Sequence, residues 1–375
     1  MVTGMPILLG LAFAFGFLGI IASFNQTLVN WVKVQISSDI IIAQGLQTGS
    51  SGQVALPDEL LDRVRKVAGV KVAAGTRAAA FKWEGNPINI AVFDVPEWRK
   101  FTNPPVLEPG REQALNALQT GGQIWISQSL ALKYGLKLGQ KLTIPTPAGP
   151  VEFPIAAISQ DYFSYDGTVH MNRQDYIQYW GDRSINYIYI AVEQGVASEL
   201  VRDQLESDLK GDYRVTVSLA SDYRDSILKL TSSITNIFNI VLLVALLVAA
   251  VGTANSLLMS VMERVREIGT LRSVGLKRGQ IISMFLIEVG ALLIAGLILS
   301  IPIGAIIQAT GTIFYKNALG WVLAVNVPWT KNIGTIIAMF VVALLTRKLM
   351  ERKLKSSLPP CLSLCRISRS IKIHL

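Results

Sequence analysis

One charged segment determines how this chain is organised, and it reads Met262-Glu263-Arg264-Val265-Arg266-Glu267-Ile268-Gly269-Thr270-Leu271-Arg272-Ser273-Val274-Gly275. It is short and compatible with a helix. Residues 234–262 precede it and residues 281–308 come soon after it, and both runs are almost free of charge. Because a membrane-spanning helix needs about 20 mostly apolar residues, we predict that this segment connects two spans.

The composition places the whole chain in the same class. Its 375 residues are 51% hydrophobic and 16% charged, whereas soluble domains carry about 25% charged residues. Two further apolar runs lie near the amino terminus and near residue 340. We therefore predict an integral membrane α-helical protein with four transmembrane helices, at residues 1–29, 234–260, 281–308 and 332–346.

A polar stretch separates the first two predicted spans. It covers residues 30–233 and is long enough to have a hydrophobic core of its own. Apolar and β-branched runs predict strands in it at residues 39–43, 88–93, 123–126, 151–158 and 187–192. Helical spacing of apolar residues predicts helices at residues 57–67 and 196–209. Strands interleaved with isolated helices indicate an α+β domain.

The distribution of charge orients the predicted spans. The link at residues 261–280 has five basic and two acidic residues, and the tail at residues 347–375 has eight basic residues and one acidic residue. Positively charged loops stay on the cytoplasmic side. We therefore expect a multi-pass protein of the plasma (inner) membrane with both termini in the cytoplasm. Residues 30–233 and the loop at residues 309–331 are then outside. Flanking spans explain the basic runs better than a nucleic-acid partner does.

Residues able to carry out chemistry are scarce. The two histidines, His170 and His374, are far apart, and we expect both to be ordinary surface residues. The two cysteines, Cys361 and Cys365, lie in the predicted cytoplasmic tail, so we predict no metal site and no catalytic residues. No G-x-x-x-x-G-K-[ST] loop for ATP phosphates occurs in the sequence. The chain is therefore expected not to be an enzyme and to bind no cofactor itself.

The third predicted span contains features of helix packing. Gly296, Ser300 and Gly304 recur at every fourth residue, which places small side chains on one helix face and favours close approach of another helix. Glu288 is the only acidic residue in any predicted span, and such a charge is costly in lipid. It is either an intramembrane switch or helix contact, or a residue near the inner interface that reaches back to Arg278 or Lys277.

These residues carry a resemblance to a known family. Residues 263–275, followed by Gly279-Gln280-Ile281 and by Glu288 ahead of a glycine-rich span, resemble the permease domain of the FtsX/MacB/LolC-type ABC transporters. Residues 128–144 resemble the periplasmic core domain of the same family. They read Gln128-Ser129-Leu130-Ala131-Leu132-Lys133-Tyr134-Gly135-Leu136-Lys137-Leu138-Gly139-Gln140-Lys141-Leu142-Thr143-Ile144. The resemblance implies a large extracytoplasmic domain of MacB periplasmic-core type between helices 1 and 2.

The resemblance also implies a mechanism. In such permeases, the cytoplasmic segment after the second span docks as a coupling helix on a separate ATPase, whose closure is transmitted to the outer domain. By this resemblance, the ATPase-facing residues are Glu263, Arg264, Arg266, Glu267 and Arg272. An amphipathic coupling helix would offer Ile268, Leu271 and Val274 to a groove while its charges fix the register. The alternative is that this segment is only a solvated link with positive-inside charges.

The expected function follows from this family. A permease subunit would couple ATP hydrolysis by a separate ATPase, which uses ATP and Mg²⁺, to movement of the outer domain. The cargo would be a lipid, a lipoprotein, a peptide or a drug-like molecule that is exported or released. The expected partners are the ABC ATPase, membrane lipid, and either a second copy or a second permease half. The alternative function is a membrane-anchored extracytoplasmic sensor or scaffold without transport.

The two ends of the sequence depart from the family pattern. No basic residue precedes Lys33, and the segments at residues 23–39 and 320–329 resemble the second half of long permeases that contain this unit twice. We therefore expect a preceding half outside this chain. The basic tail at residues 347–375 lacks the usual ending of the family, as a truncated or frameshifted end would.

Overall fold

The computed structural model describes residues 5–44, 55–162, 164–263, 270, 273–275 and 278–337. The chain divides into two compact units. We call the first the outer unit, which comprises Ile21–Ile237 and Thr310–Asn326. The second is the membrane unit, which comprises Met1–Ile20, Phe238–Ala309 and Val327–Leu375.

In the described part of the chain, three helices are longer than 30 residues. The helices are α1 (Met5–Gln35), α2 (Glu59–Arg65), α3 (Val95–Trp98), α4 (Arg111–Thr120), α5 (Gln128–Tyr134), α6 (Arg173–Trp180), α7 (Ser198–Leu209), α8 (Ala220–Glu263) and α9 (Arg278–Leu319). Among the described residues, three stretches are long and apolar enough to cross a membrane. They are Leu8–Gln35 in α1, Ala220–Ala249 in α8 and Ile294–Leu319 in α9.

The predicted spans can be placed on these helices. The spans predicted at residues 234–260 and 281–308 lie inside α8 and α9, which are both longer. The fourth predicted span, at residues 332–346, begins within helical residues 329–337. Its remaining residues, 338–346, lie outside the described part of the chain.

The outer unit is built on one mixed sheet. Its strands are β1 (Ile40–Ala43), β2 (Val70–Trp83), β3 (Asn86–Phe93), β4 (Val106–Glu108), β5 (Ile124–Ser127), β6 (Lys141–Thr146), β7 (Gly149–Ser159), β8 (Thr168–Asn172), β9 (Tyr187–Val192) and β10 (Thr216–Leu219). Their order is β10-β1-β9-β2-β3-β8-β5-β7-β4, and β6 pairs with β7. The pairs β3–β8 and β5–β7 are parallel, and the others are antiparallel.

Separate hydrophobic cores divide this sheet into two lobes. In the edge lobe, α2 and α7 cover β1 and β9, and the core includes Ile40, Leu60 and Leu205. In the central lobe, α5 and α6 pack with β3, β5, β7 and β8, and the core includes Leu130 and Phe153. Strand β2 belongs to both lobes, because Ala73 lies in the first core and Phe81 in the second.

The predicted elements of the outer domain are confirmed. All five predicted strands and both predicted helices are present, with ends that differ by at most two residues. The prediction missed β2, β4, β6, β8 and β10 among the described strands.

Close packing of helices is a feature of the membrane unit. A Cβ atom added to Gly304 of α9 would lie 2.8 Å from Cβ of Phe15 in α1. One added to Gly16 of α1 would lie 2.5 Å from Cγ2 of Ile307. Such glycines allow two backbones to approach closely enough for dispersion contacts to hold helices together in lipid.

The core of the edge lobe gives a direct test of stability. Leu205 and Leu200 lie on the same helix, α7, but Leu205 is 0% exposed and Leu200 is 68% exposed. Leu205→Ala should destabilise the outer domain by about 2–5 kcal/mol, because it opens a cavity. Leu200→Ala is the matched control and should cost about 0.5 kcal/mol or less. Urea unfolding in detergent micelles, followed by tryptophan fluorescence, measures both. Equal midpoints for the two variants would contradict the assigned core.

Candidate coupling site

Two of the long helices continue almost directly into paired strands. Helix α1 ends at Gln35 and β1 begins at Ile40, while β10 ends at Leu219 and α8 begins at Ala220. Strands β1 and β10 are antiparallel partners, with Ile40 opposite Leu219. The ends of α1 and α8 are therefore fixed to neighbouring strands at one edge of the sheet.

Asp39 reinforces this connection through three hydrogen bonds. Its backbone N–H donates to the carbonyl of Ile190 at 2.8 Å, and its own carbonyl accepts the N–H of Ala220 at 2.8 Å. Its carboxylate accepts the N–H of Val192 at 2.8 Å. Asp39 thus joins the residues after α1 to β9 and to the first residue of α8.

An apolar cluster fills the space around the two helix ends. We call it the junction cluster, and its buried members are Trp31, Val32, Ile36, Ile41, Tyr162, Ala220 and Tyr223. A guanidinium N–H of Arg224 donates to the carbonyl of Ile36 at 2.7 Å, which gives that helix-end carbonyl a partner. The cluster joins both helices to the sheet by packing as well as by strand pairing.

The segment that follows α9 is bound to α1. Residues 320–328 have no regular secondary structure, so their backbone groups need other partners. The Ser23 hydroxyl accepts the N–H of Asn326 at 2.9 Å. The Thr27 hydroxyl accepts the N–H of Ala324 at 2.9 Å. Both α1 hydroxyls are buried, so these bonds fix the position of the segment.

Tyr162 binds the same segment from the side of the sheet. Its hydroxyl donates to the carbonyl of Val322 at 2.8 Å and accepts from the amide of Gln160 at 2.6 Å. Burial raises the pKa of Tyr162 to about 12, so the hydroxyl stays protonated and able to donate. The indole N–H of Trp31 donates to the Gln160 carbonyl at 3.2 Å. Residues 160–162 therefore contact both α1 and the segment after α9.

The residues predicted to face an ATPase lie at the limit of the described chain. Glu263 is the last residue of α8, and its side chain is outside the described part of the structure. The others lie outside the described residues altogether: Arg264, Arg266, Glu267, Ile268, Leu271 and Arg272. Their role stays a prediction.

The predicted intramembrane residues lie on α9. Gly296, Ser300 and Gly304 are all buried in the membrane unit, and Gly304 contacts Phe15 of α1. The Ser300 hydroxyl donates to the carbonyl of Leu297 at 2.9 Å. Glu288 lies on the same helix, but its side chain is outside the described part. Whether it is a switch stays untested.

The prediction that His170 lies on the surface is wrong. His170 is 6% exposed because β8 lies between β3 and β5 inside the sheet. Its Nε2 lies 4.0 Å from Oδ2 of Asp161, and its ring stacks on Phe93 with centroids 5.8 Å apart. Burial lowers the pKa of His170, while the Asp161 charge opposes that shift.

Acidic residues near the sheet are also buried, but they form no metal centre. Asp161, Asp166 and Asp175 are 5%, 6% and 8% exposed. Lys133 pairs with Asp166 at 2.7 Å, and Asp175 accepts the N–H of Gly122 at 2.8 Å. Among the described residues, no group of three or more His, Cys, Asp or Glu side chains is arranged to hold a metal ion.

Comparison with known families identifies the class of protein. Residues 7–208 match the MacB-like periplasmic core domain, and residues 239–355 match the FtsX-like permease C-terminal domain. The first match covers more than half of the chain. The chain therefore belongs to the MacB/FtsX-like family of ABC transporter permeases, and most of its outer unit lies within the match to the periplasmic core domain.

Parts of the chain are also similar to individual known proteins. An uncharacterized ABC transporter permease protein of Mycobacterium tuberculosis is 23% identical over 334 residues, which are 86% of this chain and 38% of that protein. The macrolide export ATP-binding/permease protein MacB of Bradyrhizobium diazoefficiens is 27% identical over 138 residues, which are 35% of this chain and 21% of that protein. The crystal structure of the periplasmic region of MacB from Actinobacillus actinomycetemcomitans aligns with a TM-score of 0.38 and 9% identity, covering 52% of this chain and 95% of that one. The chain spans less than half the length of either protein relative.

Binding of the segment after α9 can be tested at Thr27. Thr27→Val keeps the shape of the side chain but removes the acceptor for the Ala324 N–H. Loss of that bond should cost about 1–3 kcal/mol, so exchange of the Ala324 amide should become about tenfold faster or more. Hydrogen exchange with mass spectrometry measures this.

The matched control for this substitution is Thr231→Val. The Thr231 hydroxyl donates to the carbonyl of Ile227, one turn back in its own helix, so its removal should leave the Ala324 amide protected. Unchanged protection of Ala324 in Thr27→Val would show that Thr27 does not fix this segment.

The buried histidine predicts a pH dependence of stability. The folded pKa of His170 is lowered from 6.5, so below pH 6.5 the unfolded chain binds more protons than the folded chain. Stability should therefore fall as the pH drops through that value. The carboxyl groups of Asp94 and Asp175 have raised pKa values because they are buried, and they act in the opposite direction at lower pH.

Urea unfolding between about pH 8 and about pH 5.5 tests this dependence. In His170→Gln, the free energy of unfolding should fall less steeply as the pH decreases. His374→Gln, which changes the only other histidine, should keep the wild-type slope. If the free energy of unfolding of His170→Gln depends on pH as steeply as that of the wild type, other groups cause the pH dependence.

Proposed function

We propose that this chain is the permease subunit of an ABC transporter that couples ATP hydrolysis in a separate ATPase to movement of its outer domain. The observation that carries the proposal is the direct continuation of α1 and α8 into the paired strands β1 and β10. Rigid secondary elements can carry a displacement over a long distance when no flexible link interrupts them. Only the residues 36–39 lie between α1 and the sheet, and Asp39 is hydrogen-bonded on three sides.

The ATPase would dock on the charged segment after α8. In this proposal, Glu263, Arg264, Arg266, Glu267 and Arg272 fix the register of the contact by complementary charge. Ile268 and Leu271 fill a groove on the ATPase, as an amphipathic helix does in helix-in-groove recognition. The ATPase binds ATP and Mg²⁺, and the permease chain itself is neither an enzyme nor a binder of a cofactor.

The remaining parts of the proposal concern orientation and assembly. Residues 30–233 are outside the membrane, and the charged link and both termini are in the cytoplasm, in agreement with the five basic residues of the link at residues 261–280. The partner across the membrane is a second copy or a second permease half, and lipid surrounds both. The cargo is a lipid, a lipoprotein, a peptide or a drug-like molecule that is exported or released.

The ATPase contact is tested by charge reversal. Arg266→Glu and Glu267→Lys should each abolish co-purification of the chain with its ABC ATPase. Reversal replaces attraction by repulsion and should weaken binding by about 2–5 kcal/mol. Membrane insertion, followed by fractionation, should be unchanged, because neither residue lies in a span.

A charge reversal on the outer domain is the control. Lys137 is exposed there, so Lys137→Glu should leave the ATPase bound. If Arg266→Glu and Glu267→Lys still co-purify with the ATPase, the docking assignment is wrong. If the wild-type chain carries no ATPase at all, a membrane-anchored sensor or scaffold becomes the better account.

A further inference from the structure

The end of α9 is a helix terminus that requires glycine. Gly320 has a φ of +67°, and its N–H donates to the carbonyl of Lys316 at 3.0 Å. The N–H of Trp321 donates to the carbonyl of Tyr315 at 3.3 Å. This pair of bonds satisfies carbonyl groups of the last helical turn, and its left-handed residue is usually glycine.

The same glycine contacts the backbone of α5. A Cβ atom on Gly320 would lie 2.4 Å from Cα of Ser129, 2.7 Å from its Cβ and 3.0 Å from its carbonyl oxygen. Ser129 is 0% exposed, and it lies in the first turn of α5. The end of α9 therefore lies directly against the main chain of the central lobe, with no side chain between them.

Hydrogen bonds connect Ser129 to the strands of that lobe. Its hydroxyl lies 2.9 Å from the hydroxyl of Ser127, at the end of β5. The Ser127 hydroxyl accepts the N–H of Leu130 at 3.2 Å and the N–H of Thr168, the first residue of β8, at 2.9 Å. The Ser129 hydroxyl also donates to the carbonyl of Ser164 at 3.3 Å. A displacement of Ser129 would therefore act on β5 and β8 together.

These strands are distant from the edge where α1 and α8 enter. Strands β9, β2 and β3 lie between β1 and β8 in the sheet. We propose that the contact between Gly320 and Ser129 is a second entry point, through which α9 acts on β5 and β8 of the central lobe. It adds to the entry of α1 and α8 at the edge lobe and to the bond between Trp31 of α1 and Gln160. Gly320 and Ser129 are then positioning residues for coupling. This inference rests on the proposed function, because it assumes that the ATPase moves α9.

Fluorescence energy transfer measures the movement without knowledge of the cargo. A donor dye is attached to Ala148→Cys, an exposed position in the turn between β6 and β7, after Cys361 and Cys365 are changed to serine. The chain is reconstituted with its ATPase in nanodiscs that contain acceptor-labelled lipid headgroups. The transfer efficiency is compared without nucleotide and after trapping with ATP and vanadate. The wild-type chain should show a shift.

Two substitutions test the contact itself. Gly320→Asn adds a side chain against Ser129, although asparagine accepts the left-handed conformation. Gly181→Asn is the matched control, because Gly181 also ends a helix with a φ of +67° and a Cβ there would meet nothing within 4 Å. Gly320→Asn should lose most of the nucleotide-dependent shift, and Gly181→Asn should keep it. ATPase co-purification should be the same in both.

A second variant adds no volume and so creates no steric clash at the contact. Ser129→Ala removes the hydroxyl that joins α5 to Ser127 and Ser164, and it should also reduce the shift. If Gly320→Asn does not reach the membrane, the shift measured for Ser129→Ala is the test of the proposal. A wild-type shift in every variant that inserts would overturn the second entry point. Absence of the shift or of the ATPase in the wild-type chain would instead overturn the proposed function.

Discussion

Antiparallel strands exchange backbone hydrogen bonds that resist sliding and separation, and β1 and β10 are held in this way at the edge of the outer sheet. Each strand continues a long apolar helix or leads into one, so the pairing fixes the ends of α1 and α8 beside each other. Asp39 adds bonds to β9 and to Ala220. The junction cluster packs where these two helices meet the paired strands.

The arrangement gives one sheet separate contacts with several helices. Strand β2 is 14 residues long and contributes to the cores of both lobes, so the lobes share one strand but have separate hydrophobic contacts. The edge lobe is continuous with α1 and α8. The central lobe contacts α1 through Gln160 and contacts the end of α9 through Ser129. Under the proposed function, helix movements of different size would change the relation between the lobes.

Much of the fold could be predicted from local patterns, and the missing parts have a physical reason. Strands such as β9 were predictable because Tyr187–Val192 is mostly a run of aromatic and β-branched residues, which favour a strand. Strand β8 was missed because Thr168–Asn172 mixes polar and apolar residues, yet all five are buried. The Asn172 side-chain amide finds its partner, the carbonyl of Leu118, only after folding, because the two residues are 54 positions apart. Strand β2 contains three consecutive alanines, which have low strand propensity.

Only those parts of the candidate site that lie close together in the sequence were predictable. The charged link after α8 stands out because apolar runs flank it, and the small residues on α9 stand out by their spacing. The bond between Ser23 and Asn326 was not predictable, since the two residues are 303 positions apart. The resemblance of residues 23–39 and 320–329 to long permeases gave no indication that these segments contact each other. Buried hydroxyl groups in α1 were the available signal, because a polar group at the end of a span needs a partner.

Spin labels at the exposed positions Lys33 of α1 and Asp222 of α8 test the central claim most directly. The labelled chain, with Cys361 and Cys365 changed to serine, is reconstituted with its ATPase, and pulsed electron paramagnetic resonance gives the distance distribution between the labels. If strand pairing holds the ends of α1 and α8 rigidly together as they move, the distance distribution between the labels stays narrow. It is then the same in the nucleotide-free and vanadate-trapped states. A distance distribution that shifts or broadens on trapping would show that the ends of α1 and α8 move relative to each other. That result would contradict rigid coupling through the strand pair.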